Sequence, residues 1–439
     1  MRIDTLRLVN FKGFQERELS FHPQFNLIVG ENGSGKTSLL DALSVALGAW
    51  FLGLRGYDSR HIWLDEVRLE GVASNGNGRG RAEVTWERQF PCTVQATGEV
   101  LSKQVAWQRA LESAKGRTTR GNARVIKTLA TQADHAIRSG SGVVLPLISY
   151  YGTGRLWDFP RKQSQVKSGS PLQKKQETSR LEGYRNSVDR RLSPSDLVRW
   201  IAHQAWIAFQ EGAESSVSIL VRKAITQCVE QATDVYFDAR LSEVIVDKGA
   251  QGKQPFYNLS DGQRSMVALV GDLAQKAVKL NPQLGESALT GTPGVVLIDE
   301  LDLHLHPKWQ RHVIEDLRRV FPRVQFFATT HSPFLIQSLR SGEELVTLDG
   351  VPTPSVANRT LEEIARDIME VPNPDVSQRY QQMKSDARRY LEALERAPIA
   401  PEEKLREFKE RLAKAIAPYA DNPAYQAFLE MKRAAKLGE

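Results

Sequence analysis

Apolar and polar positions first alternate along this chain and then run together. Ile3-Asp4-Thr5-Leu6-Arg7-Leu8 has the period of a half-buried strand, residues 17–21 predict a second strand, and Phe25-Asn26-Leu27-Ile28-Val29 is the near-continuous apolar run of a buried one. A glycine-rich loop follows and a helix opens at Lys36. Between about 66 and 94 short β-like runs are broken at 71–78, which reads as a hairpin tip. Residues 143–151 predict another apolar strand, and 161–194 are polar and basic, the composition of a loop or mobile insertion. Ser195 then caps a helix with Leu197, Trp200 and Ile201 on its stripe, and helical periodicity continues to about residue 232. Strand signals resume at 241–246, and helices alternate with apolar strands as far as 348, the pattern of an α/β layer. A Thr360-x-x-Glu363 capping box opens a helical tail. There Tyr380, Met383, Ala387, Tyr390, Leu391 and Leu394 make one stripe and Leu405, Phe408, Leu412 and Ile416 a second, separated by 397–401, so the tail reads as a helical hairpin suited to docking.

Composition narrows the class. At 439 residues and 41% hydrophobic content the chain has material for a real core, as two ordinary domains or one large domain with an insertion. Cys92 and Cys228 stand far apart and outside any CxxC or Cys/His array, which argues against a disulfide framework or a structural zinc and for a reducing, cytoplasmic setting. The longest apolar stretch, from about 42 to 54, is shorter than the roughly 20 residues a membrane helix needs, so no membrane partner is expected. The net charge of +7 is uneven: residues 101–200 hold 19 Lys/Arg against 7 Asp/Glu. Such a block either meets nucleic-acid phosphates or keeps a solvated insertion soluble.

The chemistry begins at Gly30-Glu31-Asn32-Gly33-Ser34-Gly35-Lys36-Thr37-Ser38, which fits the GxxxxGK[ST] phosphate loop and sits between a buried strand and a helix. Its glycines let backbone N–H groups converge on a phosphate, Lys36 neutralises β/γ charge, and the Thr37 hydroxyl is placed to ligate Mg²⁺. Gly294-Val295-Val296-Leu297-Ile298-Asp299-Glu300 is the complementary piece, a buried strand delivering two carboxylates. Asp299 would hold Mg²⁺ through water, and Glu300 would act as general base on the attacking water. Adjacent carboxylates at the end of an apolar strand are otherwise costly.

Leu259-Ser260-Asp261-Gly262-Gln263-Arg264 resembles the LSGGQ signature of ATP-binding-cassette ATPases, with Asp261 in place of the first glycine, and precedes a helix expected over 265–279. Val324-Gln325-Phe326-Phe327-Ala328-Thr329-Thr330-His331-Ser332 ends in a histidine that resembles the switch His of that family, which contacts the γ-phosphate and orients the water. With Leu8-Val9-Asn10-Phe11-Lys12-Gly13-Phe14, these motifs resemble the head domain of the SMC/RecF/OLD group over most of 1–160 and 235–350. The resemblance implies an α/β, ABC-type P-loop head with mixed β-sheets. Its first lobe would span 1–160, a basic loop and helical insertion 161–234, its second lobe 235–350, and a partner-docking tail 351–439. It also implies a homodimer, or a higher assembly, in which two ATPs are sandwiched between each phosphate loop and the partner's loop carrying Ser260, Gly262 and Gln263.

Tyr150-Tyr151-Gly152-Thr153-Gly154-Arg155-Leu156-Trp157 stands where the family shows a Gln, and His306 stands at an acidic position of the family's D-loop; both departures imply slow or single-use hydrolysis. Those same phrases, the second being Asp299-Glu300-Leu301-Asp302-Leu303-His304-Leu305-His306-Pro307, resemble the ATPase subunits of Septu-type antiphage systems, also found beside some retrons. That resemblance implies an HNH-type nuclease partner, DNA, and beside a retron its RNA or DNA and reverse transcriptase. A RecF-like repair ATPase and a non-hydrolysing subunit glued by ATP remain alternatives. A self-sufficient nuclease does not, because too little chain follows His331 for a metal-nuclease domain. Asp302, His304 and His306 lie two apart on an extended loop and do not make a closed ligand set.

Overall fold

The structure, a computed structural model, describes residues 1–73, 84–156, 179–190, 194–348 and 359–378, with a few single positions beyond. The chain forms two compact units, Met1–Ile364 and Ala365–Glu439. The first opens with β1 (Arg2–Phe11), β2 (Phe14–Ser20), β3 (Phe25–Val29) and α1 (Lys36–Gly48). It continues through the hairpins β4 (Leu69–Ala73) with β5 (Val84–Arg88) and β6 (Cys92–Val100) with β7 (Lys103–Leu111), then α2 (Arg124–Arg138) and β8 (Leu147–Tyr151). Next come α3 (Pro194–Glu211), α4 (Ser216–Cys228), β9 (Asp234–Asp238), β10 (Glu243–Asp247), β11 (Lys253–Pro255) and α5 (Asp261–Leu280). The closing run is α6 (Ala288–Gly291), β12 (Gly294–Ile298), α7 (Pro307–Gln310), α8 (Val313–Val320), β13 (Val324–Thr329), α9 (Pro333–Gln337), β14 (Leu345–Thr347) and α10 (Leu361–Asp367).

The core sheet has five parallel strands in the order β14-β3-β13-β12-β8. Every residue of β3, β8, β12 and β13 is buried, as expected of strands covered on both faces. This order sets β3, β13 and β12 side by side, so the loops after Val29, Thr329 and Ile298 leave from one edge, where α/β sheets place their ligands. A four-stranded antiparallel sheet, β2-β1-β6-β7, packs over α1: alternate residues of β6 are buried, and the Trp107 indole N–H donates to the Ala46 carbonyl at 2.9 Å. The fold is thus the α/β P-loop head with mixed sheets that the motifs imply.

Several elements differ from the sequence expectation, each for a physical reason. The strand expected over 143–151 begins only at Leu147, because Pro146 has no N–H for the ladder and Leu145 is held instead by both ends of the buried Asn281 amide, at 2.8 and 2.9 Å. The long helix expected to residue 232 starts at Pro194 and breaks after Glu211; Ser215 caps the next helix through the Ser218 N–H. Residues 234–238 form a strand, β9, paired with β10. The signature helix begins at Asp261, not 265, so the signature itself is the first turn. Helix α2 went unread, although Ile126, Leu129, Ala130 and Ala133 are its buried stripe. The polar stretch 161–194 is not uniformly a solvated insertion: Leu181 and Tyr184 are buried, and the Arg180 guanidinium donates to the Leu280 and Val143 carbonyls at 2.9 and 2.6 Å. Of the hairpin tip expected over 71–78, residues 71–73 instead complete β4, and 74–78 lie outside the described residues, as do 157–178 and most of the expected C-terminal helical hairpin. The Thr360–Glu363 capping box forms reciprocally, at 2.9 and 3.2 Å.

Candidate functional site

Gly35 caps α1 in the left-handed region, at φ 101°, and a Cβ there would come within 2.8 Å of the Phe14 ring, so the phosphate loop needs glycine on two counts. The Lys36 ammonium lies inside the loop, donating to the Gly30 and Glu31 carbonyls at 2.7 and 2.8 Å. Asn32, Gly33 and Thr37 are exposed, Ser38 is half-buried, and the Ser34 hydroxyl is buried with no hydrogen-bond partner among the described residues.

The loop is bonded to the carboxylate strand. Thr37 donates its hydroxyl to Asp299 at 3.1 Å to Oδ2, and Thr329 donates to Asp299 Oδ1 at 2.6 Å. Thr329 in turn accepts the Glu300 N–H at 2.7 Å, where the chain turns through a positive φ of 49°. Thr37 at the start of α1, Asp299 and Glu300 just past β12, and Thr329 at the end of β13, up to 292 positions apart, thereby meet at one sheet edge. His331 is exposed just past β13, and its N–H donates to Asp302 at 3.4 Å.

Asp302 lies on the loop after β12, near in sequence to His304 and His306. Its carboxylate accepts the Thr330 hydroxyl at 2.6 Å and so tethers the loop that carries His331. Gln310 makes a second tether, accepting from the Ser332 hydroxyl at 2.6 Å and donating to the Leu305 carbonyl at 2.9 Å. His306 serves as a helix cap, its Nδ1 accepting the Lys308 N–H at 3.2 Å.

Ser260 and Gln263 bond to each other as a capping box, at 3.4 Å each way, and Lys248 donates to Gln263 at 3.1 Å. Among the described residues, neither bonds to the phosphate loop of its own chain. Gly262 is buried against the carbonyl of His304, so the signature turn rests on the loop that carries Asp302.

A network behind the loop was not anticipated. Asp41, fully buried on α1, ion-pairs with Lys12 and Arg190 and accepts the Tyr150 hydroxyl at 3.1 Å. Burial and then Asp41 push the Tyr150 hydroxyl well above its ordinary range, which keeps it a donor. Tyr151 donates to Asp272 of α5 at 2.6 Å, and Lys276 pairs with the same carboxylate at 2.8 Å. The signal for Asp41 was available as a carboxylate inside the apolar run Leu39-Leu40-Asp41-Ala42-Leu43; nothing local marked Arg190.

Known proteins match this architecture. An AAA-domain family model matches residues 5–199, and a second AAA-domain model, described in terms of a type IV toxin–antitoxin system, matches 154–337. The Retron Vc95 probable ATPase of Vibrio cholerae is 26% identical over 389 residues, covering 78% of this chain and 72% of that protein. Septu protein PtuA of Bacillus thuringiensis is 24% identical over 349 residues, covering 78% and 74%. The chain is an ATPase homologous to these retron and Septu proteins. A solved SMC head, bound to the C-winged-helix domain of ScpA, is 16% identical to the ATPase and superimposes with a TM-score of 0.45 over 79% of this chain and 94% of its own. No helix among the described residues of the ATPase is long and apolar enough to cross a membrane.

Proposed function

We propose that this ATPase is a nucleotide-gated regulator in antiphage defence that binds ATP with Mg²⁺ between two copies of itself and controls a separately encoded HNH-type nuclease. The observation carrying the nucleotide part is the hydrogen-bonded chain Thr37–Asp299–Thr329, which joins phosphate loop, carboxylate strand and switch strand. The residues fit the ligand. A buried Ser34 hydroxyl with no partner among the described residues and an ammonium held by carbonyls at Lys36 suit phosphate oxygens, and a hydroxyl beside a carboxylate is a hard-oxygen pair suited to Mg²⁺. Bound Mg²⁺ would neutralise charge on the β- and γ-phosphates.

In this reading Asn32, Gly33, Gly35 and Ser38 shape and cap the phosphate site. Lys36 compensates phosphate charge. Glu300 takes the proton of the attacking water and His331 orients it. Ser260, Gly262 and Gln263 serve the partner's nucleotide, which agrees with their bonding away from their own phosphate loop. The stretch Tyr150–Trp157, which stands where the family shows a Gln and whose Tyr150 hydroxyl is given to Asp41, favours slow turnover.

The relatives support the defence role. The C-terminal unit is proposed to hold the nuclease, and the basic residues of 101–200 to meet DNA, with retron nucleic acid and reverse transcriptase as partners if a retron lies alongside. A tagged pull-down from the native host, with and without ATP, tests this. Recovery of a small HNH-type nuclease is expected; recovery of DNA and recombination proteins alone would move the ATPase to a RecF-like repair role.

A further inference from the structure

Of the three tryptophans exposed among the described residues of the first unit, Trp63 at 56% and Trp86 at 65% stand furthest into solvent, and Leu64 and Leu69 are exposed as well. Rings of this size are ordinarily buried or used. In the β4–β5 register Gly71 lies opposite Trp86 and Leu69 opposite Arg88, so Trp86, Arg88 and Leu69 share one hairpin face and no side chain at Gly71 covers the indole. Arg88 Nε donates to the Leu64 carbonyl at 3.1 Å, which ties this face to the turn carrying Trp63. The Arg60 guanidinium lies 4.1 Å from the Trp63 ring centre.

The charge around the rings is positive and short of counter-ions. Arg60 pairs with the buried Glu66, but Arg88, Arg109 and Arg120 have no ion-pair partner among the described residues. Arg109 is wholly buried and bonded to neutral groups, the Thr119 carbonyl at 3.0 Å and the Ser59 hydroxyl at 2.9 Å; burial first, then Arg120, push it down to about 10. The Thr118 hydroxyl accepts the Ile62 N–H at 2.9 Å and so holds the segment leading to Arg120 beside Trp63. At the neighbouring His61, partial burial and then Arg109, Arg120 and Arg60 depress the imidazole against the opposing pull of Asp58. Among the described residues of the hairpin the acids Glu70 and Glu87 face each other on its opposite side, and Asp58 and Asp65 are exposed carboxylates in the segment next to Trp63.

We infer that Trp63 and Trp86, with the exposed Arg88 and Arg120, form a binding site for single-stranded nucleic acid. Exposed rings offer stacking surfaces to unpaired bases, whose faces a duplex hides, and cations without counter-ions complement a polyanion better than they complement an apolar protein face. The inference names the surface and strand type for the nucleic-acid partner proposed above, and it fails separately from the ATPase chemistry, since its readout is strand binding and not turnover.

The test uses the full chain, a fluorescein-labelled 20-mer of dT, and a duplex of equal length, followed by anisotropy and by quenching of intrinsic tryptophan fluorescence. Trp86→Ala and Trp63→Ala should each weaken dT binding roughly tenfold, with Trp86→Phe staying within about threefold of wild type. Arg88→Gln should lower the slope of log affinity against log salt by about 0.7. ATP turnover unchanged in all four variants would show that they fold. Absence of dT binding, affinity that both alanine variants leave within twofold, or tighter binding of the duplex would overturn the inference and leave the rings to a protein partner.

Discussion

Glu300 and Lys36 sit within a few residues of neighbours that each do a different job, so single substitutions separate binding from chemistry. Glu300→Gln removes the proposed base but keeps the backbone turn that Thr329 holds, and ATP turnover should fall by about 10²- to 10⁴-fold with ATP binding retained, as measured by single-turnover hydrolysis beside equilibrium binding. Equal turnover in mutant and wild type would remove Glu300 from the mechanism. Lys36→Ala withdraws the ammonium from the loop and should abolish nucleotide binding in the same assay. Asn281→Ala tests the core: its fully buried amide bonds both the N–H and the carbonyl of Leu145 and reaches the Thr292 hydroxyl at 2.9 Å, so its loss should cost about 2–4 kcal/mol in denaturant unfolding. Lys36, Asp299 and Glu300 were legible because the motif is contiguous and its chemistry local. Asp41, Asp302 and Thr329 were not, since each gains its role from a partner that β-strand order brings near.

Helix α5 and the loop after β12 behave as one packed unit at the next scale up. Gly262 meets the His304 carbonyl, a backbone atom that cannot rotate away, so Gly262→Ala should shift the signature turn and lower stability by about 1–3 kcal/mol, seen as a fall in melting temperature. Turnover should fall further than stability alone explains, because the displaced loop carries Asp302, which bonds Thr330 and the backbone N–H of His331, the histidine proposed to orient the water. Elements with strong periodicity, β3, β12 and β13, were legible from their apolar runs. Those bounded by a side-chain clamp or a single proline were misplaced: β8 starts late because Asn281 holds Leu145, and α5 starts early because Ser260 caps the turn that reads as a loop.

For the molecule as a whole, burial decides what is chemically available. Burial pushes the Cys92 thiol up to about 12, and Cys228 is raised further by burial and Asp316, so both stay protonated at pH 8. Neither should react with a thiol reagent in the native ATPase, and both should react after denaturation; fast labelling of the native chain would contradict their packing. Glu300→Gln should also accumulate as an ATP-bound dimer in light scattering, while a monomer with ATP bound would count against the sandwich. The phosphate loop, the paired carboxylates and the signature were readable in advance because backbone curvature, charge and capping are properties of adjacent residues. The meeting of Thr37 with Asp299, of Asp302 with Thr330 and of Asp41 with Arg190 was not, because these contacts span 262, 28 and 149 positions and depend on strand order, which no local pattern of apolar and polar residues encodes.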